Sequence, residues 1–172
     1  TFADPVEQFS TVLKFVGGEA VRVQNLAEAD AHLRMQKQWI DGKNRCSVVE
    51  GVGESTIDLT KIDDPHELEN VDFAVLRGHF AVAENAAIWV TDDTVRHRVL
   101  YFIPQHTAIV VPATQVVNNL HEAYARMAVG QHAFAGFISG PSKTADIEQS
   151  LVIGAHGARS LIVYLVADGL DQ

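Results

Sequence analysis

The chain has 172 residues, 47% of them hydrophobic, which supports one domain with a sizeable core, expected to run over residues 1–172. It carries 13 Lys and Arg against 22 Asp and Glu, a formal net charge of -9, and so lacks the positive footprint that neutralises a phosphate backbone; nucleic acid is not an expected partner. The apolar runs at 109–112 and 161–167 fall far short of the roughly 20 residues that cross a bilayer, and the first residues show no basic-then-apolar leader, so the expectation is a cytoplasmic protein without a membrane partner.

Val6, Phe9, Leu13 and Val16 recur near helical spacing over residues 5–15, and Gly17-Gly18 stops the run. A short strand at 20–24 leads into a second helix over 26–39, where Leu26, Ala29, Leu33 and Ile40 share a face and Asp41-Gly42 closes the segment. Residues 47–50 read as a strand, and 51–71 form an acidic stretch with a turn at Asp63-Asp64-Pro65. Short β-like runs follow at 72–76, 79–83 and 86–90, then at 99–103 and 107–111. The stripe of Val116, Val117, Leu120, Ala123, Tyr124 and Met127 predicts a helix over 114–127. A strand at 133–138, a helix at 144–153 and a strand at 161–166 then make a strand–helix–strand unit with a parallel pair. Together these elements give an α/β fold whose central run of strands forms a β-rich extension. Phe80, Trp89, Tyr101 and Phe102 in that run are either an exposed assembly surface or core.

Two polar knots flank the helix predicted at 144–153. The first, SGPSKTADIE, lies at the carboxyl end of the strand at 133–138, the kind of place where ligands settle in α/β sheets. Ser142 or Thr144 caps the helix, and its free N–H groups with Lys143 offer an anion site. Asp146 and Glu148 in the first turn satisfy the helix dipole themselves, so a well-capped helix without a ligand is the other reading. In the functional reading Lys143 faces the ligand and Asp146 turns back to fix the loop. The second knot, GAHGAR, contains Gly154 and Gly157 as turn residues, but turn chemistry accounts for neither His156 nor Arg159. A helix of about ten residues would hold the knots roughly 15 Å apart, too far to share one small ligand.

Glu84, in Ala83-Glu84-Asn85, is either a pocket acid or part of a turn with Asn85 at positive φ. Ser139 and Ser142 have no nucleophile elbow around them, and Gly51-x-Gly53 has no helix pattern after it. Cys46 is the only cysteine, which excludes an internal disulfide and a cluster held by this chain's own thiolates. The eight histidines form neither His-x-His nor His-Glu-x-x-His, and His97 stands between Arg96 and Arg98, so no metal site is expected.

The stretch FISGPSKTADIEQSLVIGAHGARSL resembles the C-terminal signature of the lactate-utilisation protein C family of LUD-domain proteins. The likeness continues through FAVAENAAIWV, IPQHTAIVVPATQVV and the first helix with Gly17-Gly18, and so covers nearly the whole chain. Where many relatives carry Ala-Glu-Thr-Gly-Thr this chain has Ala83-Glu84-Asn85-Ala86-Ala87, and Ala158 replaces the usual Pro before Arg159. The resemblance implies a NagB/RpiA/CoA-transferase-like α/β fold, a mixed sheet flanked by helices. It also implies a subunit or accessory role in a cytoplasmic, iron–sulfur-dependent oxidation of L-lactate to pyruvate. The clusters are then expected in iron–sulfur partner subunits, with no cofactor bound by this chain, while self-association into a homo-oligomer stays open. The motif positions that match, and so become candidate binding residues, are Glu84, Gly140, Pro141, Ser142, Lys143, Thr144, Asp146, Glu148, His156, Gly157 and Arg159. A stand-alone enzyme acting on a sugar phosphate, CoA thioester or folate-type ligand, and a pure assembly protein, are the alternatives.

Overall fold

The Asp4 carboxylate accepts the backbone N–H of Glu7 and Pro5 occupies the first turn, so helix α1 (Pro5–Phe15) starts where its unpaired donors find an acceptor. A computed structural model of the chain describes residues 1–127, 130–145, 151–153 and 157–170. After α1, which buries Phe9 and Leu13, Gly17 turns the chain at φ 94 into strand β1 (Glu19–Val23). Helices α2 (Leu26–Arg34) and α3 (Lys37–Asp41) follow, then β2 (Arg45–Ser47), β3 (Phe73–Arg77), β4 (Phe80–Val82), β5 (Ala87–Thr91) and β6 (His106–Pro112). Strand β7 (Val116–Val117), helix α4 (Leu120–Arg126), β8 (Ala135–Ser139), β9 (Lys143–Ala145), β10 (Leu151–Ile153) and β11 (Ser160–Val166) complete the order.

Five strands form a parallel sheet in the order β1-β11-β6-β3-β2. A second sheet, β7-β4-β5-β8, mixes one parallel and two antiparallel pairings. Strand alternation sends successive side chains to opposite faces, and it sorts the core cleanly. Ala74, Leu76, Ile109, Val111, Leu161, Val163 and Leu165 face α1 and one side of the second sheet. Phe73, Val75, Ala108, Val110, Ile162 and Tyr164 face α2 and α3, where Ala29, Leu33 and Trp39 close the opposite layer. The outer side of the second sheet buries Phe80, Val82 and Ala87 against Ala123 of α4. Full burial of a Leu, Ile or Phe side chain is worth roughly 1.5–3 kcal/mol, so these layers carry most of the fold's stability.

The α/β class with a β-rich extension is therefore present, and several elements differ from the periodicity reading. The helix expected over 26–39 breaks at Gln36, whose extended backbone separates α2 from α3. The helix expected over 114–127 begins only at Leu120. Val116 and Val117 are β-branched and join β4 as a strand, and Asn119 caps α4 by accepting the N–H of Glu122. The strand expected at 99–103 is a single 3-10 turn, Arg98–Tyr101. Phe80 and Tyr101 are core, and Phe102 is 51% exposed.

The correction that matters most lies between the two knots. Residues 143–145 and 151–153, expected in one helix, are strands β9 and β10 of an antiparallel pair, with Lys143 opposite Ile153. The strand at 133–138 is not parallel to the last strand either: β8 pairs antiparallel with β5 in the second sheet, and β11 lies inside the first. Among the described residues, no strand–helix–strand unit forms there. No helix among the described residues is long and apolar enough to cross a membrane.

Candidate functional site

A helix would carry the second knot away from the first, whereas an antiparallel pair brings it back. The Ser142 N–H donates to Ala158 O at 2.8 Å, and a methyl group added at Gly157, which sits at φ 142, would come within 3.0 Å of Ser142 Cβ. Gly140, at φ 71, presses against the end of α1, where an added Cβ would lie 2.9 Å from Val16 Cγ2. Both glycines therefore answer to a left-handed backbone and to a close approach.

Between the knots and the first sheet lies a cavity of about 360 Å³. Tyr101, Phe102 and Phe137 form its aromatic wall, and Gly140, Pro141, Ser142, Gly157 and Ala158 supply the loop wall. Thr107 and Leu161, paired in register at the amino ends of β6 and β11, belong to the same lining. The Tyr101 hydroxyl is held by Thr94 Oγ1 at 2.9 Å and donates to Thr91 O at 3.1 Å, which fixes the aromatic wall. Thr107 is 3% exposed, and its Oγ1 has no hydrogen-bond partner among the described residues. A buried hydroxyl left unpaired costs about 1–3 kcal/mol, and the residue that carries it is part of the lining of this cavity.

The knots thus meet on one cavity, contrary to the separation of roughly 15 Å that a helix would impose. The cavity opens at the amino ends of β6 and β11, not beyond the carboxyl ends of parallel strands as the general rule led one to expect. At the carboxyl ends, the opening beside β1 and β11 is lined by polar groups that serve one another. Arg22 pairs with Asp4 and Glu7, and Glu28 accepts the N–H of Gln24 at 2.7 Å.

Of the candidates read from the sequence, Gly140, Pro141, Ser142 and Gly157 line the cavity together. Arg159 directly follows, with its N–H donating to Gln105 O. Glu84 does not join them: its carboxylate accepts the N–H of Leu120 at 3.0 Å and so caps α4. The turn there places Ala86, not Asn85, at positive φ, 53°. Lys143 and Thr144 open β9, so the helix N-terminus on which the anion reading rested is not there; their side chains, and Asp146, Glu148 and His156, lie outside the described residues. Thr107 and His106 were missed, although both stand in the motif stretch IPQHTAIVVPATQVV; their signal is their place at the head of a strand whose later residues are all apolar.

Cys46 is buried in the core, and burial pushes its thiol up to about 12, so it stays a protonated thiol and a poor nucleophile at neutral pH. One buried thiol does not fit an iron–sulfur cluster, which takes four such ligands.

The LUD domain family model matches residues 43–166, which span β2 to the end of β11. The chain belongs to the LUD domain family. Lactate utilization protein C of Geobacillus thermodenitrificans is 30% identical over 112 residues, 61% of this chain and 45% of that protein. The protein of the same name from Bacillus pumilus is 29% identical over 106 residues, 58% of this chain and 44% of its own length. This LUD domain chain spans about half the length of the curated relatives it matches. The crystal structure of a DUF162 family protein from Deinococcus radiodurans shares its fold, with a TM-score of 0.67 over 96% of this chain and 98% of that one at 21% identity.

Proposed function

We propose that this LUD domain serves lactate utilisation as a ligand-binding subunit or accessory protein of a cytoplasmic, iron–sulfur-dependent L-lactate oxidation system whose clusters sit in partner proteins. The names of its relatives support the process, and the single buried Cys46 supports placing the clusters elsewhere. The observation that carries a ligand-binding role, as against a purely structural one, is the cavity where the two motif loops meet, whose lining includes Thr107, a residue with a buried hydroxyl that has no partner among the described residues. Among the described residues Arg45 Nε, His97 Nε2 and Thr107 Oγ1 are buried without a partner, and of these three Thr107 is the one in the lining of this cavity.

The test is reconstitution with the iron–sulfur partner proteins and measurement of L-lactate-dependent dye reduction. Turnover should require this chain, and Thr107→Val should lower it roughly tenfold, the equivalent of about 1.4 kcal/mol and of one good hydrogen bond. Full turnover with the chain omitted overturns the reading. Full turnover with Thr107→Val returns the cavity to packing.

A further inference from the structure

Two rings in the wall of the cavity between the motif loops, Tyr101 and Phe102, are held in place from behind. Their centroids lie 6.5 Å apart, and Phe134 supports both, stacked on Tyr101 at 6.0 Å and edge-on to Phe102 at 5.7 Å. Phe134 is itself clamped by Asp92, whose Oδ2 accepts the Phe134 N–H at 3.1 Å and whose own N–H donates to Phe134 O at 3.1 Å. With the Tyr101 hydroxyl bonded to Thr94 and Thr91, the wall is organised before any ligand arrives. Phe102 nevertheless keeps half of its surface open. The loop wall beside it presents little side chain, since Gly140, Pro141, Gly157 and Ala158 supply most of it, and a Cβ at Gly157 would come within 3.2 Å of Phe102 O.

The described residues of the lining are aromatic, aliphatic, glycine, proline, serine or threonine, and none of them is charged. Ser139 Oγ is committed, donating to Asn85 O at 2.7 Å. Thr107 stands on the face of β6 that also carries Ile109 and Val111, and Tyr101 and Leu161 pack into the same layer. Its side chain is therefore directed to the cavity side of the sheet, and its hydroxyl, with one proton to donate, has no partner among the described residues. Sites for small ligands run from roughly 300 to 1,000 Å³ and combine apolar and aromatic walls with a few placed polar groups. A cavity of about 360 Å³ with two fixed rings and one buried hydroxyl has that composition.

We propose that this cavity takes an uncharged planar ring bearing a ring carbonyl, packed against Tyr101 and Phe102, with the carbonyl oxygen accepting the Thr107 O–H. The assignment rests on the ligand-binding reading and deepens it, because it names the ligand class of the same cavity. Aromatic rings attract one another through offset faces and edges, and a half-open ring backed by two others offers such a surface at little cost in ordering. The carbonyl gives the Thr107 hydroxyl the partner it lacks. Phe102 is a binding residue in this assignment, and Phe134 and Asp92 are positioning residues that act through it.

Duroquinone is the probe, a neutral ring with two carbonyls and no open ring position for addition to a thiol. Titration of the full chain, followed by calorimetry and by NMR, should show saturable binding that shifts the ring resonances of Tyr101 and Phe102. Phe102→Leu keeps an apolar side chain and should weaken binding by about tenfold, with a urea midpoint close to that of wild type because the ring is half exposed. Thr107→Val should weaken binding by about tenfold and Thr107→Ser should restore it, a rescue that a packing role alone would not give. L-lactate should not displace the probe. Absence of saturable binding, wild-type affinity in both Phe102→Leu and Thr107→Val, or displacement by L-lactate each overturns the inference. If the reconstituted lactate-oxidising system requires the chain and slows in Thr107→Val, yet duroquinone does not bind, the ring falls and the ligand-binding reading stands. If the system runs without the chain, both fall.

Discussion

Thr107 occupies the position in β6 where, two and four residues on, Ile109 and Val111 give methyl groups to the same core. Its hydroxyl is thus a departure from a pattern the strand otherwise keeps, and the departure should be visible in stability. Thr107→Val removes an unpaired buried polar atom at nearly constant volume, so it should raise the unfolding free energy by up to about 1–3 kcal/mol in urea denaturation. A loss of stability would mean that the hydroxyl has a partner in the folded chain. Cys46 gives the contrasting case of a residue whose surroundings silence it. With its thiol pushed up to about 12 by burial, the native chain should resist alkylation at pH 8, and iron with sulfide should assemble no cluster on it. Prompt labelling of the native chain under those conditions would show that Cys46 is reached by solvent.

The segments between those residues were not equally readable. Strands β3, β4, β5, β6 and β11 were visible in the sequence because each is a short apolar run bounded by breaks, and a buried strand has no other pattern to offer. Helix α1 was visible for the opposite reason, since its apolar residues repeat at helical spacing and Gly17-Gly18 ends them. The stretch at 144–153 deceived because a run of moderate helix formers after a capping serine is also what an excursion from a turn looks like; the antiparallel register of β9 and β10 is set by tertiary position, which local spacing does not encode. The same error hid the site, for it is the antiparallel pairing of β9 with β10 that brings Gly157 back to Ser142. Gly157→Ala tests the closure. At φ 142, with the new Cβ 3.0 Å from Ser142 Cβ and 3.2 Å from Phe102 O, the two loops must part, at a cost of roughly 1–3 kcal/mol in unfolding free energy. A wild-type urea midpoint for Gly157→Ala would mean that the loops are not held together at this point.

Across the whole molecule, three groups with acidic protons are buried in one connected sheet system. Cys46 is in β2, Tyr164 in β11, and Tyr101 lies in the 3-10 turn beneath the second sheet. Burial is the largest cause in each case and raises all three, Cys46 to about 12 from its ordinary 9.0 and the two tyrosines above their ordinary 10.0. Tyr164 keeps its hydroxyl 3.0 Å from His32 Nδ1, and nearby Glu19 and Asp30 oppose its ionisation further. Because the folded chain holds protons that the unfolded chain releases, their shared contribution is fully present below pH 9 and is lost as the pH rises through the folded values. The fold should therefore weaken on the alkaline side through a window that opens near pH 9, where Cys46 alone begins to pull, and steepens past pH 10 as the tyrosines join it. Urea denaturation from pH 8 upward measures this directly. Cys46→Ala should flatten the first part of the decline and leave the second, whereas a wild-type curve that stays level from pH 9 to 11 would mean that these groups ionise in the folded state as readily as in the unfolded one.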